Sequence, residues 1–239
     1  MMQQWHYDEL RHCGVDYAKA EEAETYDAQH QQFRDYEKEF GEMMAFLGLE
    51  DAQSKTVIDL GCGTGATALY AAEVFKKVYA VDISEVMIEQ ARKKLGAESA
   101  NVTFVKAGFL GYEHEGEPAD LVMTKAALHH LPDFWKQVAL MRMNAMLRPG
   151  GRLYIHDVVF QFEPQEYAEK IEAWIGGFER VAGAAFRADV ETHIRDEYST
   201  FGWVLEGMLE KAGFVVEKRR SNDGFVTEYA CRKVAEAGV

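Results

Sequence analysis

The stretch Thr56-Val57-Ile58-Asp59-Leu60-Gly61-Cys62-Gly63-Thr64-Gly65 reads as a short buried strand running into a glycine-rich turn, with a helix-like segment from Ala66 to about Lys76. Val57, Ile58 and Leu60 suit a parallel strand covered on both faces, where apolar residues need not alternate. Asp59 interrupts that run. A buried, unpaired carboxylate is costly, so it is expected to accept hydrogen bonds from the turn, from a ligand, or from both. The glycines remove Cβ atoms where a turn is tight and something must approach the backbone. The stretch therefore predicts a ligand site.

Composition narrows the class. The chain has 239 residues, 48% hydrophobic and 12% aromatic, enough for a sizeable core, and its four prolines and lack of a low-complexity tract argue against long disorder. Forty acids against 26 bases leave a formal charge of −14, which opposes nonspecific binding to phosphate backbones or anionic lipid. The opening Met1-Met2-Gln3-Gln4-Trp5-His6 lacks the pattern of a signal peptide, and no apolar run approaches the roughly 20 residues that span a bilayer. Cys13, Cys62 and Cys231 are scattered, which speaks against a disulfide framework or a structural zinc site. A cytoplasmic protein is expected.

Outward from the glycine turn, strand and helix signals alternate. Val78–Asp82 is a second strand ending in an acid; Ser84 then caps a helix with Met87, Ile88, Ala91 and Leu95 on one face. Val102–Val105 and Asp120–Thr124 are further strands, Phe134 to Ala145 a helix, Arg148-Pro149-Gly150-Gly151 its stop signal, and Arg152–Val158 a fifth strand. Such alternation implies a parallel sheet with helices on both faces. Phe160 to about Arg195 is helical and long for a connection, so it reads as an inserted cap. A core helix is expected over Glu197–Ala212, with Phe201 among its inward residues, before Phe214–Lys218 and Phe225–Cys231, an antiparallel pair because the link between them is too short for a crossover. Ahead of the first strand, Phe33, Tyr36, Phe40, Met43, Met44 and Leu47 recur at helical spacing. These boundaries divide the chain into an N-terminal helical lid (1–52), a cofactor-binding core (53–158), a helical cap (159–197) and the completion of the core (198–239).

Gly61-x-Gly63-x-x-Ala66 also fits the dinucleotide fingerprint, and Asp82 stands where an acid bridges ribose hydroxyls in either kind of site. Asp59 before the first glycine, able to attract an amino-acid ammonium group, and the C-terminal strand pair favour S-adenosylmethionine over a nicotinamide. Val57–Gly65 closely resembles motif I of the class I S-adenosylmethionine-dependent methyltransferases, and Tyr79–Ser84 resembles their second motif. Ala127–Asp133 and Leu147–Gly151 resemble the loop after the fourth strand and the turn before the fifth in the small-molecule branch. The resemblance covers Thr56 to Val158 strongly and Tyr198 to Cys231 moderately. It implies a Rossmann-like α/β fold, with a seven-stranded, mostly parallel sheet, a C-terminal antiparallel pair and a helical cap.

The same resemblance implies that Asp59, Gly61, Cys62 and Gly63 surround the methionine portion of S-adenosylmethionine, or of the product S-adenosylhomocysteine. Asp82 would take the ribose, Ile83 and Met87 would lie near adenine, and Lys125 would approach the methionine portion through its backbone. One position departs from the pattern. Many members carry an aspartate after the third strand that contacts the adenine amino group, and alignment on Phe109-Leu110 puts Gly108 there. The backbone of Gly108 and Phe109 is then left to meet the adenine.

For the chemistry, His129 and His130 are the base candidates, since they follow the fourth strand at the cofactor end of the sheet and histidine transfers protons near neutral pH. Packing, or capping of the helix at Pro132, is the competing reading. His156, at the end of the fifth strand, with Tyr17 and Tyr26 of the lid, Arg195 near the end of the cap, and Tyr198 and Trp203 just beyond it, are the candidate acceptor contacts. Helix capping is the plainer account of the run around Arg195. No spacing gives a recognised metal-ligand set, so no metal is expected. The leading expectation is methyl transfer to a small-molecule O, N or S nucleophile by a monomer or homodimer, without nucleic acid or membrane. A nicotinamide-dependent oxidoreductase and a noncatalytic binder of the same cofactor are the alternatives.

Overall fold

Strand β1 (Thr56–Leu60) is buried at every residue from Val57 to Leu60, as an apolar run without alternation requires. The computed structural model describes residues 5–11, 35–96 and 100–237. β1 lies between β2 (Lys77–Asp82) and β4 (Ala119–Lys125), parallel to both. β3 (Val102–Lys106) and β5 (Leu147–Phe160) extend the parallel sheet outward. A short β6 (Thr200–Phe201) pairs with the far end of β5. With β7 (Phe214–Asn222) and β8 (Val226–Lys233) the order becomes β3-β2-β1-β4-β5-β8-β7. β8 is antiparallel to both its neighbours. The strand order reverses at β1 and β4, and a crevice opens there beyond the carboxyl ends of the strands.

The helices cover both faces: α1 (Tyr36–Leu47), α2 (Ala66–Val74), α3 (Glu85–Leu95), α4 (Asp133–Met146), α5 (Tyr167–Ala182), α6 (Ala184–Asp196) and α7 (Gly202–Lys211). Successive strand residues point to opposite faces. Val57, Leu121, Met123 and Tyr154 pack with Phe40, Met43 and Leu47 of α1 and Ala71 of α2. Ile58, Val122, Leu153, Ile155 and Tyr229 pack instead with Leu140 and Met143 of α4 and Leu205 and Leu209 of α7. Local chemistry sets the helix ends. Asp35 accepts the Lys38 amide and Gly48 closes α1 in the left-handed conformation, while the Ser84 hydroxyl accepts the Met87 amide at the start of α3.

Three expectations change. The helix expected over Glu197–Ala212 begins only at Gly202; residues 197–201 are extended instead. The Tyr198 amide donates to the His129 carbonyl at 2.8 Å, and Thr200 and Phe201 pair with Val159 and Phe160. Phe201 consequently joins Phe160 and Phe162 in an aromatic cluster rather than a helical face. The Arg148–Gly151 stop signal is incorporated into β5, where the register shifts between Ala119↔Leu147 and Leu121↔Arg152. The 160–195 stretch is two helices divided at Gly183, which has a φ of 85°. Trp174 of α5 stacks on Phe225 at 4.8 Å, fastening the helical pair to the sheet end.

Gly65 opens α2 with a φ of 77°, and a Cβ there would meet the Ala91 Cβ of α3 at 2.7 Å. Gly65→Ala is expected to destabilise the protein by about 2–3 kcal/mol, from the left-handed backbone and the helix–helix clash together. Urea unfolding checks this; an unchanged midpoint would show that α2 and α3 can move apart freely.

Candidate active site

The carboxyl ends of β1, β2, β3 and β4 surround a cavity of about 360 Å³. Its floor is the turn after β1. A Cβ on Gly61, whose φ is 76°, would fall 2.5 Å from the Ala127 Cβ, so the two strand-end loops touch only because no side chain intervenes. Gly61 and Cys62 donate their amides to the Val81 carbonyl at 2.8 and 3.0 Å. Asp82, at the end of β2, accepts the Gly63 amide on Oδ2 and the Ser84 amide on Oδ1, both at 2.8 Å. Its carboxylate thus joins the first βα turn to the second. Burial pushes the Asp82 pKa up, against the lowering effect of these amides.

Asp59 is 2% exposed, and its Oδ2 has no hydrogen-bond partner among the described residues. Burial pushes it up to about 7, with Lys125 opposing and Asp82 adding. A buried carboxylate in this condition is poised to ionise when a cation arrives beside it. Lys125 lies across the cavity and pairs with Glu39 of α1 at 3.1 Å. Ala126 has a φ of 50°, an uncommon conformation for a non-glycine residue, at the rim of the cavity.

Of the residues singled out in the sequence, Asp59, Gly61, Cys62, Gly63, Asp82, Ile83, Met87, Gly108, Phe109, Lys125 and His130 all line this cavity. His129 does not. It is buried behind the wall with Nδ1 2.5 Å from Asp157 Oδ1 and Nε2 3.3 Å from Glu197 Oε2, while Glu197 also pairs with His193. Asp157 Oδ2 accepts the Leu128 and His129 amides at 2.8 and 3.2 Å. Burial pulls the His129 pKa down, but Asp157 and then Glu197 outweigh it and hold the imidazole above its ordinary value. Burial acts upward on Asp157, and the imidazolium overrides it to hold the carboxyl well below its usual range. His130 behaves oppositely: burial, reinforced by the His129 charge, lowers it to about 4. The adjacent histidines are thus split into a charged ring in the wall and a neutral ring at the cavity.

The acceptor candidates lie elsewhere. Arg195 is exposed and bonded to Asp196 and Thr192. Trp203 is 68% and Tyr198 40% exposed, and Tyr198 contributes its backbone, accepting from Lys136. His156 lies in β5 beside Lys125 and Glu228, and its carbonyl accepts the Ala126 amide. None of the four lines the cavity. Tyr17 and Tyr26 lie outside the described residues. His129, His130 and Glu197 place ligand-type atoms within 4.8 Å of one another, but the two carboxylates neutralise this cluster through the imidazolium. Sequence reasoning missed Glu9 and Thr67 in the lining, since no periodicity marks them, and it placed Tyr36 on the helical face ahead of β1 without assigning it to the site. Tyr229 and Lys233 have the tyrosine–lysine spacing with which short-chain dehydrogenases activate an alcohol. They sit buried on β8, bonded to Gln161 and to the Asn144 and Leu147 carbonyls, away from the cavity.

Residues 57–151 match the family described as methyltransferase domain. The chain is 31% identical over 166 residues to an uncharacterized methyltransferase of Anoxybacillus flavithermus, covering 70% of this chain and 72% of that one. It is 28% identical over 204 residues to one of Geobacillus kaustophilus, covering 84% and 88%. Among solved structures, the N-methyltransferase NodS from Bradyrhizobium japonicum, in complex with S-adenosyl-L-homocysteine, shares the fold with a TM-score of 0.63 at 17% identity, over 89% of this chain and 95% of that one. The chain belongs to the class I methyltransferase family and is an enzyme of that class. Among the described residues, no helix is long and apolar enough to cross a membrane.

The buried network makes a pH-dependent contribution to stability. Asp157, held below its ordinary 3.8, contributes above that pH and loses its contribution as pH falls through the native value. His129, held above 6.5, contributes fully below that pH and loses its contribution as pH rises through the native value. Asp157→Asn is expected to cost about 3–5 kcal/mol near pH 6. The wild-type-minus-variant difference in urea-unfolding free energy should shrink steadily toward pH 9; a difference that grew with pH would contradict a charged His129.

Proposed function

We propose that this enzyme transfers a methyl group from S-adenosylmethionine to an O, N or S atom of a small molecule by in-line displacement. The observation that carries the reading is the pair of buried strand-end carboxylates, Asp59 and Asp82, opening on one cavity. The residues fit the cofactor. Asp59 offers an unsatisfied buried oxygen suited to an ammonium group, and the ionisation that a cation would induce strengthens the contact. Asp82, pinned by the Gly63 and Ser84 amides, keeps lone pairs for two ribose hydroxyls. Ile83 and Met87 supply apolar surface for a purine. Gly61 and Gly63 let the ligand approach the backbone. NodS, of the same fold, was solved with S-adenosyl-L-homocysteine, which supports the cofactor.

When bound, S-adenosylmethionine supplies an electrophilic methyl group on a positively charged sulfur and leaves as S-adenosylhomocysteine. The protein's tasks are to align the acceptor and to take a proton where the acceptor carries one. His130, neutral and at the cavity, is the proton acceptor in this reading. It is a weak base, which suffices because the acceptor's proton becomes far more acidic as the new bond to carbon forms. His129 acts as a positioning residue: clamped between Asp157 and Glu197, it keeps a positive charge beside His130 that reinforces burial in holding that ring neutral. The lid and the α5–α6 pair would choose the acceptor, and the acidity of the chain favours a small one over a nucleic acid.

A radiolabelled-methyl screen over phenol, amine and thiol acceptors tests the activity; transfer to at least one class is expected, and none despite cofactor binding would overturn it. Asp82→Ala should weaken cofactor binding at least about 100-fold, as expected for losing charged hydrogen bonds to two hydroxyls. Calorimetry showing retained affinity would remove the ribose assignment.

A further inference from the structure

The described N-terminal segment, residues 5–11, reaches the cavity from outside the sheet and inserts one carboxylate into its wall. Trp5 stacks on Trp135 of α4 with ring centroids 6.3 Å apart and planes 15° apart, and His6 and Tyr7 lie against the same indole at 4.8 and 6.1 Å. The Tyr7 hydroxyl donates to the His130 carbonyl at 3.4 Å. Beyond these anchors the Asp8 carboxylate accepts the Leu10 amide and its carbonyl accepts the Arg11 amide, so the chain turns back. That turn leaves Glu9 pointing inward.

Glu9 meets the protein at the exit of β3. The Leu110 amide donates to Glu9 Oε2 at 2.9 Å, and the Gly111 amide also reaches the carboxylate. A Cβ built on Gly108 would fall on this carboxylate, 2.7 Å from Oε1 and closer still to Cδ and Oε2. That is about the span from an aspartate's own Cβ to its carboxylate oxygens. Gly108 has no positive φ, so its backbone does not require glycine. The absent side chain at 108 and the carboxylate arriving from residue 9 occupy one place.

We infer that Glu9 is a cofactor-binding residue, supplying from the N-terminal segment the acceptor for the exocyclic amino group of the adenine. The inference rests on the S-adenosylmethionine reading. Glu9 lines the same cavity as the apolar Ile83, Met87 and Phe109 and the strand-end Asp59 and Lys125. A carboxylate offers about four acceptor positions, and two backbone amides leave the remainder for a ligand donor. An adenine has one such donor group at its edge, the 6-amino group, whereas a purine with a 6-oxo group would set an oxygen against the carboxylate at that position and bind more weakly. Burial pushes the Glu9 pKa up, against the Leu110 and Gly111 amides and the Arg142 charge. Cofactor recognition thereby depends on the docking of residues 5–11 onto Trp135 and His130, which also brings this segment over the candidate base.

The test is calorimetry on the full chain with S-adenosylhomocysteine and with S-inosylhomocysteine, in which a carbonyl oxygen replaces the 6-amino group. The wild type should bind the adenosyl ligand at least about 10-fold more tightly. Glu9→Ala should weaken the adenosyl ligand about 10- to 100-fold and leave the inosyl ligand within about 3-fold, because only the first loses a charge-assisted hydrogen bond. Adding Gly108→Asp to Glu9→Ala should return most of the lost affinity and the preference for the amino group. Equal weakening of both ligands by Glu9→Ala, or no weakening of either, would overturn the inference and leave Glu9 a tether for the segment. Binding of neither ligand by the wild type would instead overturn the cofactor reading beneath it.

Discussion

Asp82 holds the active end of this protein together. Its two oxygens accept the Gly63 amide of the first βα turn and the Ser84 amide of the second, each at 2.8 Å. The turns therefore cannot separate without stranding a buried carboxylate, and they are held at the point where the strand order reverses. Glycines at 61 and 63 make this geometry attainable, since both adopt positive φ. Asp59 lies at the same end of the neighbouring strand, buried and short of one hydrogen-bond partner. One carboxylate is committed to the fold and keeps lone pairs to spare; the other remains open toward the cavity. That division of labour supports the proposed ligand, one bearing both hydroxyls and a cation.

A second buried network ties the cap to the core. His129 sits between Asp157 at the end of β5 and Glu197 after α6, and His193 of α6 completes the contact. Breaking it would leave charge uncompensated inside the protein, so the 197–201 segment is held against the loop that carries His130. Burial, reinforced by the same charge, keeps His130 neutral. Stability of the cap and the protonation state of the cavity histidine thus share one set of residues, and a change at the cap that moved Glu197 would be felt at the candidate base.

Much of the fold was legible because strand burial and turn chemistry are local. The unalternated Val57–Leu60 run, the acid after β2, the Ser84 cap and the short link before β8 each announced their structures from a few neighbouring residues. Tertiary pairing was not legible in the same way. Phe201 has the spacing of a helical core residue with Leu205 and Met208, yet it pairs with Phe160 because β5 continues beyond its fifth-strand motif to present an edge. His129 and His130 are indistinguishable in sequence; only the carboxylates brought from β5 and the end of α6 separate their charges. Glu9 lies 99 residues before Gly108 and has no pattern around it, so only the folded chain reveals that they meet.

The claim on which the rest depends is that the crevice between the β1 and β4 ends takes an amino-acid-bearing adenosine cofactor. Equilibrium binding of the unmodified protein to S-adenosylmethionine, S-adenosylhomocysteine and NAD measures it most directly. Saturable one-to-one binding of the first two, with NAD bound at least about 100-fold more weakly, is the predicted result. Binding of NAD alone would contradict it.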